Sequence, residues 1–225
     1  MNLCETRWWW VRHAPVPDGG RIYGQRDLAC DCSDTEKFSA LAQELPRGAV
    51  WITSHLSRTR QTAAAILSAM DHPDAQRVDP VAVEALAEQH LGEWQGLDRK
   101  AFLASRANSR HRFWFGPATE RAPGGESFHD VMRRVSGAVE QLTRDFRGRD
   151  IIAVTHGGTI RAALALALRL DPEAALAFVI DNCSVTRIEH LEGDGVVHWR
   201  IGAVNHRPWV GPWAGGVAAT GTPFR

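Results

Sequence analysis

Three short runs of apolar residues stand out along the chain, and polar or turn residues bound each of them. The runs cover residues 8–11, 50–53 and 151–155. They are continuous rather than alternating and are rich in β-branched and aromatic side chains, which is typical of strands buried on both faces. The pattern therefore predicts a parallel sheet that is covered by helices.

Helical periodicity follows the second and third runs and recurs between them. Apolar side chains at helical spacing predict helices over residues 57–70, 127–146 and 159–170. In the middle one, Ser127 is a suitable N-cap, and Asp130 stands at the capping-box position three residues on. Strands that alternate with helices predict an α/β fold in three layers, with a mostly parallel central sheet flanked by helices on both faces.

A hairpin is expected late in the chain. Residues 184–191 and 196–204 are strand-like, and the Glu-Gly-Asp-Gly sequence between them is typical of a turn. This hairpin would add antiparallel strands at one edge of the sheet. Antiparallel pairing needs no crossover connection, so it extends the sheet without another helix.

A helical cap is expected over about residues 92–125, beside the edge of the sheet where we expect the functional site. Its aromatic side chains either line a hydrophobic pocket or simply pack together; they are Phe113, Trp114 and Phe115. We predict one domain over residues 1–208. The Gly-, Ala- and Pro-rich tail over residues 209–225 is expected to be poorly ordered.

The balance of charged residues limits the classes of binding partner that we expect. The 225 residues contain 26 Lys and Arg and 26 Asp and Glu, so the formal net charge is zero. A chain with no basic surplus is poorly suited to binding a nucleic-acid backbone or an anionic membrane. We therefore expect no nucleic-acid partner and no membrane partner, and any bound anion must sit in a local pocket. The oligomeric state stays open.

Cysteine usage and the N-terminal sequence favour a cytoplasmic location. The four cysteines are too few and too scattered for a disulfide scaffold, and they include no CxxC pair. The apolar run at residues 8–11 is too short for a signal peptide and ends at Arg12 and His13.

The residues that follow the three predicted strands carry the chemistry. They are Arg12 and His13, then Ser54 and Arg58, then His156, Gly157 and Gly158. Because the carboxyl ends of parallel strands meet at one edge of a sheet, two histidines and two arginines should converge there. Phosphate is the natural occupant of such a cationic pocket, and the backbone N–H groups at the start of the Gly157 and Arg58 helices would support it.

Several sequence blocks occur in the order found in one known family. The blocks are VRHA at 11–14, YGQRD at 23–27, SHLSRTRQTA at 54–63, LAEQHLGEWQG at 86–96, GGES at 124–127 and THGG at 155–158. With them the chain resembles the histidine phosphatase superfamily, which has the phosphoglycerate-mutase-like fold. The resemblance extends to about Asn205. The block at 91–96 is most similar to the phosphatase branch, which includes α-ribazole phosphatases and broad-specificity enzymes.

The resemblance implies a role for each site residue. His13 would be the nucleophile that takes the phosphoryl group on a ring nitrogen. Arg12, Arg58 and His156 would hold the equatorial oxygens. Glu88 would protonate the leaving oxygen and, in the second half of the reaction, would activate water. We expect no metal and no other cofactor, because fixed cations neutralise the phosphate.

Alternatives remain for the acid and for the class of site. Glu93 and Glu126 are rivals to Glu88, although we expect Glu126 to help start the following helix. A metal held by His13 and His156 with a third ligand is disfavoured, because the chain lacks HExxH spacing or a clustered set of carboxylates.

The expected function is a metal-independent phosphomonoester hydrolase that acts through phosphohistidine on a small phosphorylated metabolite. A phosphoglycerate-mutase-type transferase and a catalytically weak, phosphate-binding regulatory protein are the alternatives. Two departures from the family pattern bear on this choice. Ala14 stands where the family has glycine, and His55 stands where it has proline.

Overall fold

The computed structural model describes residues 3–73, 75–106 and 111–210. Within them, six strands form one sheet in the order β3-β2-β4-β1-β5-β6. The strands are β1 (Cys4–Arg12), β2 (Val50–Thr53), β3 (Val81–Ala82), β4 (Asp150–Thr155), β5 (Val185–Gly193) and β6 (Val196–His206). The first four are mutually parallel, whereas β5 pairs antiparallel with β1, and β6 pairs antiparallel with β5. The predicted mostly parallel sheet with an antiparallel edge is confirmed.

The helices lie on both faces of the sheet. In the described residues they are α1 (Thr35–Glu44), α2 (Ser57–Ala69), α3 (Arg99–Ser105), α4 (Phe128–Asp145), α5 (Gly157–Leu168) and α6 (Pro172–Ala175). The Ser127 and Asp130 capping box is present at the start of α4, as predicted. Helix α5 begins two residues earlier than its periodicity predicts, so its first turn lies directly against the end of β4.

Two hydrophobic cores hold the three layers together. Because side chains alternate along a strand, Trp8 and Trp10 lie on one face of β1 and stack with ring centroids 4.8 Å apart. They belong to the core formed with α4 and α5. On the opposite face, Trp51 and Ile152 belong to the core formed with α1 and α2. The sheet is therefore buried on both sides, which explains its continuous apolar runs.

The segment expected to be a helical cap is only partly helical. It contains a 3₁₀ turn at Gly92–Trp94 and the short helix α3, whereas residues 111–125 form turns and irregular chain. Glycine and proline at 116, 117, 123 and 124 interrupt any longer helix. Trp94 and Phe115 belong to a separate small hydrophobic cluster. The apolar residues here therefore pack into a compact cluster and do not form the apolar stripe of a long helix.

Two further expectations fall partly outside the described residues. Residues 211–225 of the predicted tail lie there, and the single-domain boundary at 208 stays a prediction. In the part of the chain that is described, no helix combines the length and the apolar character needed to cross a membrane.

Candidate active site

The ends of three neighbouring strands bring the predicted residues together. Strands β1, β2 and β4 lead directly into His13, Ser54 and His156, and all three side chains are fully buried. The ring centroids of His13 and His156 are 5.2 Å apart, with the planes inclined by 60°. Two residues from distant parts of the sequence therefore face one small site, because β1 and β4 are parallel neighbours.

Four buried nitrogen atoms of the site have no hydrogen-bond partner among the residues that the structure describes. They are Arg12 Nε, His13 Nε2, Arg58 Nε and His156 Nδ1. Burying a polar atom without a partner costs about 1–3 kcal/mol, so native structures rarely leave several of them close together without a ligand. A tetrahedral oxyanion has oxygens that could accept hydrogen bonds from such nitrogens where they carry a proton.

Each arginine is also tied to the backbone through other nitrogens, both Nη atoms in Arg58 and Nη1 in Arg12. Arg58 donates to the carbonyl oxygens of Arg26 at 2.9 Å and Gly24 at 2.7 Å, and its guanidinium lies over the ring of Tyr23 at 5.1 Å. Arg12 donates through Nη1 to the carbonyl oxygen of Ile180 at 2.6 Å. These bonds fix both guanidinium groups, so the free Nε of each is held in place before an anion arrives.

The hydrogen bonding of His13 defines which ring nitrogen keeps a free lone pair. Nδ1 lies 2.7 Å from the carbonyl oxygen of Ala14, which only accepts, so Nδ1 carries the proton and Nε2 keeps its lone pair. Burial, together with the charges of Arg12 and Arg58, holds the pKa of His13 well below its usual value. The imidazole therefore stays neutral near pH 7 and is available as a nucleophile. Asn182 donates to the carbonyl oxygen of His13 at 2.7 Å and fixes its backbone.

His156 is oriented by the residue at the end of β2. Its Nε2 lies 2.8 Å from the hydroxyl of Ser54. Burial and the nearby Arg58 charge hold the pKa of His156 well below its usual value, so the ring is neutral. For Nδ1 to donate to an oxyanion, Nε2 must accept the Ser54 proton; the Ser54 oxygen in turn accepts from the Leu56 N–H at 3.2 Å.

Of the three candidate acids, the structure brings Glu88 to the site. Its Oε1 accepts from the backbone N–H of Gly158 at 3.2 Å, at the N-terminus of α5, and from that of Gln89 at 3.0 Å. Glu93 is exposed to solvent. Glu126 pairs with Arg134 at 2.7 Å and does not cap α4, contrary to our expectation, because Ser127 and Asp130 supply that cap.

The first turn of α5 lies close to two guanidinium groups. A Cβ at Gly157 would lie 3.6 Å from Arg12 Nε and 3.3 Å from Arg161 Nη1. Arg161 also donates to the carbonyl oxygen of Phe178 at 2.9 Å, and its guanidinium lies 4.9 Å from the ring centroid of Trp114. Burial lowers the pKa of Arg161 to about 10, with Glu88 acting in the opposite direction. Arg161 therefore remains a cation beside the proposed acid.

A cavity of about 270 Å³ adjoins this site. Its aromatic lining residues include Tyr23, Trp114 and Phe115, so two of the three aromatics of the expected cap face it. Phe113 is 55% exposed. At the cavity wall, Arg99 and Asp18 form an ion pair at 2.6 Å.

Three residues of the site, and Arg134 behind it, were missed in the sequence. Ser54 was noted only as a residue after a strand, and Asn182, Arg161 and Arg134 were not singled out. The helical spacing from Gly157 to Arg161 places both on one face of α5, which was a usable signal. The other contacts join segments distant in sequence, and no local pattern marks them.

The chain is similar to known proteins over most of its length. Residues 8–201 match the histidine phosphatase superfamily, branch 1. The chain is 34% identical to 2,3-bisphosphoglycerate-dependent phosphoglycerate mutase 2 of Gloeobacter violaceus over 149 residues, which are 65% of this chain and 66% of that protein. It is 30% identical to the metal-independent phosphoserine phosphatase of Arabidopsis thaliana over 187 residues, which are 80% and 74% of the two chains.

A solved structure extends the similarity to the fold. Mycobacterial glucosyl-3-phosphoglycerate phosphatase superposes with a TM-score of 0.73 at 26% identity, over 90% of this chain and 99% of that one. The chain belongs to the histidine phosphatase superfamily, whose members similar to it include both phosphatases and phosphoglycerate mutases. It spans about two thirds of the length of the Gloeobacter relative.

Proposed function

We propose that this protein is a phosphomonoester hydrolase that works through a phosphohistidine on His13. The observation that carries the proposal is the group of four buried, unpartnered nitrogens, one of which belongs to a neutral imidazole. Three of them suit the oxygens of a phosphoryl group, and His13 Nε2 suits the phosphorus. The hydrolase relatives of the chain support the same reaction class.

In the first step, the lone pair of His13 Nε2 attacks phosphorus, and the bond from phosphorus to the ester oxygen breaks. Protonated Glu88 transfers its proton to the departing oxygen, so the alcohol leaves neutral. Arg12, Arg58 and His156 donate to the three equatorial oxygens as their charge develops. The products of this step are the free alcohol and phosphorylated His13.

In the second step, the Glu88 carboxylate takes a proton from water as the water oxygen attacks phosphorus. The bond between phosphorus and His13 Nε2 breaks, and the electron pair returns to the ring. Phosphate leaves, with His13 neutral and Glu88 protonated for the next turnover. The fixed guanidinium charges perform the neutralisation that a divalent cation provides elsewhere, so we propose that turnover needs no metal.

The charges of the cavity favour hydrolysis of a small monophosphate. Among its described lining residues, Arg12 and Arg99 are cationic and Asp18 is anionic, while Glu88 carries the proton that it transfers in the first step. Arg12 serves the reacting phosphate, and Asp18 neutralises Arg99. Beyond these lining residues, a substrate with further acidic groups, such as a bisphosphoglycerate, would find the cation of Arg161 against Trp114 and little other compensating charge. The aromatic wall instead suits a leaving group with one apolar or ring-shaped face.

A phosphoglycerate mutase is the second candidate, because one relative at 34% identity has that name. The two activities share the phosphohistidine and differ in the acceptor, which is water or a substrate hydroxyl. Monophosphoglycerate interconversion, measured with and without bisphosphoglycerate, therefore distinguishes them. We expect release of phosphate without interconversion.

The test is hydrolysis of p-nitrophenyl phosphate in EDTA by the wild type, His13→Ala and the control His198→Ala, whose side chain is exposed on β6. We expect wild-type and control turnover to persist, and His13→Ala to lose at least about 10³-fold in kcat, as for removal of other enzymic nucleophiles. No wild-type turnover between acidic and neutral pH would favour a binding protein. Turnover abolished by EDTA would favour a metal hydrolase.

A further inference from the structure

The segment that carries Glu88 has little regular structure to hold it. Glu88 follows a 3₁₀ turn at Glu84–Leu86 and precedes irregular chain. A proton donor must nevertheless keep its position, because a displacement of about 1 Å costs on the order of 100-fold in rate. The contacts that fix this segment should therefore affect the rate of proton transfer from Glu88.

One guanidinium on α4 binds the backbone on both sides of this position. Arg134 Nη1 donates to the carbonyl oxygens of Ala85 and Ala87, each at 2.8 Å, and Nη2 donates to that of Glu88 at 2.9 Å. Its remaining two N–H groups donate to the Glu126 carboxylate, from Nε at 2.7 Å and from Nη2 at 3.0 Å. All five donors of the arginine are used.

Glu126 binds the chain after Glu88, at His90. Its Oε2 accepts from the backbone N–H of His90 at 2.8 Å, and its own backbone N–H donates to the His90 carbonyl oxygen at 2.7 Å. The approach is close: a Cβ at Gly125 would lie 2.3 Å from that same carbonyl oxygen. Arg134 and Glu126 together therefore hold the chain before and after Glu88.

We propose that Arg134 and Glu126 are positioning residues for the proton donor, and this inference rests on the proposed role of Glu88. They touch neither the phosphate site nor the nucleophile in the contacts described above. Their effect should therefore appear in the step that needs the Glu88 proton. Lysine cannot replace Arg134, since it has three donors on one atom and no planar fork.

The leaving group of the substrate separates positioning from a merely structural role. The ratio kcat/KM reports the reaction through the first phosphoryl transfer, before water acts. p-Nitrophenolate is a stable anion and leaves without a proton, whereas the alkoxide of glycerol 2-phosphate needs one. A displaced Glu88 should therefore slow the alkyl ester selectively, while a general loss of folded protein should slow both substrates equally.

The experiment compares Arg134→Met, Arg134→Lys and Glu126→Gln with the wild type, on both substrates. Arg133→Met is the matched control, because Arg133 is the preceding residue on the same helix and its side chain is 78% exposed. We expect Arg134→Met to lose about 100-fold in kcat/KM on glycerol 2-phosphate and less than about 10-fold on p-nitrophenyl phosphate. We expect Arg134→Lys to share most of this selectivity and the control to match the wild type.

Equal losses on the two substrates, or no loss on either, would overturn the positioning role. Glu88→Gln provides the reference, because it removes the proton itself. If Glu88→Gln shows no preference between the substrates, the assignment of the acid in the proposed function is wrong, and the inference about Arg134 falls with it. If Glu88→Gln is selective and Arg134→Met is not, only the positioning role is refuted.

Discussion

The imidazoles of His13 and His156 lie 5.2 Å apart, centroid to centroid, and each is neutral for the same reason. Both rings are fully buried beside Arg58, so protonation of either is unfavourable. Their outer hydrogen bonds nevertheless give them different roles. His13 donates through Nδ1 to a carbonyl oxygen and keeps a lone pair on Nε2, whereas His156 can accept from Ser54 and donate through Nδ1.

Arg58→Met should weaken both phosphate binding and turnover. It removes a buried guanidinium whose Nε is unpartnered and breaks its bonds to Gly24 and Arg26. We expect kcat/KM to fall by about 10²–10³-fold, as on removal of an oxyanion donor, and the inhibition constant of inorganic phosphate to rise. Arg60→Met is the control, because Arg60 is exposed on the same helix. Similar values for the two variants would contradict the assigned role of Arg58.

Ser54→Ala should impair catalysis through the tautomer of His156. Without the Ser54 hydroxyl, nothing on this side favours the form with the proton on Nδ1. The loss of one hydrogen bond of about 1 kcal/mol predicts a decrease in kcat/KM of about 5-fold. Nitrogen NMR of the imidazole should show a larger fraction of the other tautomer. Ser68→Ala, at an exposed position, should change neither measurement; an unchanged His156 spectrum in Ser54→Ala would refute this explanation.

Gly158→Ala should displace the acid while sparing the fold. The added Cβ would lie 2.3 Å from Glu88 Oε1, so the carboxylate must move away from the start of α5. Alanine favours the helix, so the melting temperature should not fall. We expect about 10²-fold lower kcat/KM on an alkyl phosphate. Gly137→Ala on α4, where a Cβ meets nothing within 4 Å, should retain full activity, and so would Gly158→Ala if Glu88 were not the acid.

Stability should fall as the pH is lowered through the range in which free histidine titrates. The pKa values of His13 and His156 in the fold are well below the usual value, so below about pH 6.5 the unfolded chain binds protons that the folded chain does not. Each histidine can reduce the free energy of unfolding by up to about 1.4 kcal/mol per pH unit there.

Urea unfolding between about pH 5 and pH 7 measures this slope, above the range in which most carboxylates titrate. The double variant His13→Gln/His156→Gln should show a flatter dependence than the wild type. His198→Gln, with an exposed side chain, should keep the wild-type slope. A double variant with an unchanged slope would mean that the two rings are not held neutral in the fold.

The layers of the fold were predictable from the sequence because a strand that is buried on both faces appears as a continuous run of apolar residues. The runs at β1, β2 and β4 are continuous, and Ser127 and Asp130 mark the start of α4. Helix α1 was missed, because Phe38 and Leu41 are its fully buried positions and give little periodicity. The segment 92–125 is helical only in part of its described residues, over Gly92–Trp94 and α3, and its aromatic residues pack in a cluster of their own.

The residues that follow the strands could be recognised in the sequence as the centre of the site, but the residues that hold them in place could not. The rule that parallel strands present their carboxyl ends at one edge was enough to group His13 with His156. Ala14 contributes a backbone N–H to Thr62 and a carbonyl oxygen to His13, both of which glycine would also supply, so this departure from the family pattern leaves the two contacts in place. Nothing in the structure explains His55 in place of proline. The contacts of Arg134 depend on tertiary packing, which no sequence window contains.

The most direct test of the mechanism is to trap the phosphorylated protein during turnover. A radiolabelled phosphomonoester is mixed with the enzyme, the reaction is quenched in base, where phosphohistidine is stable, and the labelled peptide is identified by mass spectrometry. We predict label on His13 alone and no label in His13→Ala. With p-nitrophenyl phosphate, whose leaving group needs no proton in the first step, we predict enrichment of the label in Glu88→Gln because the second step loses its base. Continued turnover with no labelled protein at any time, or label on a different residue, would contradict the phosphohistidine mechanism.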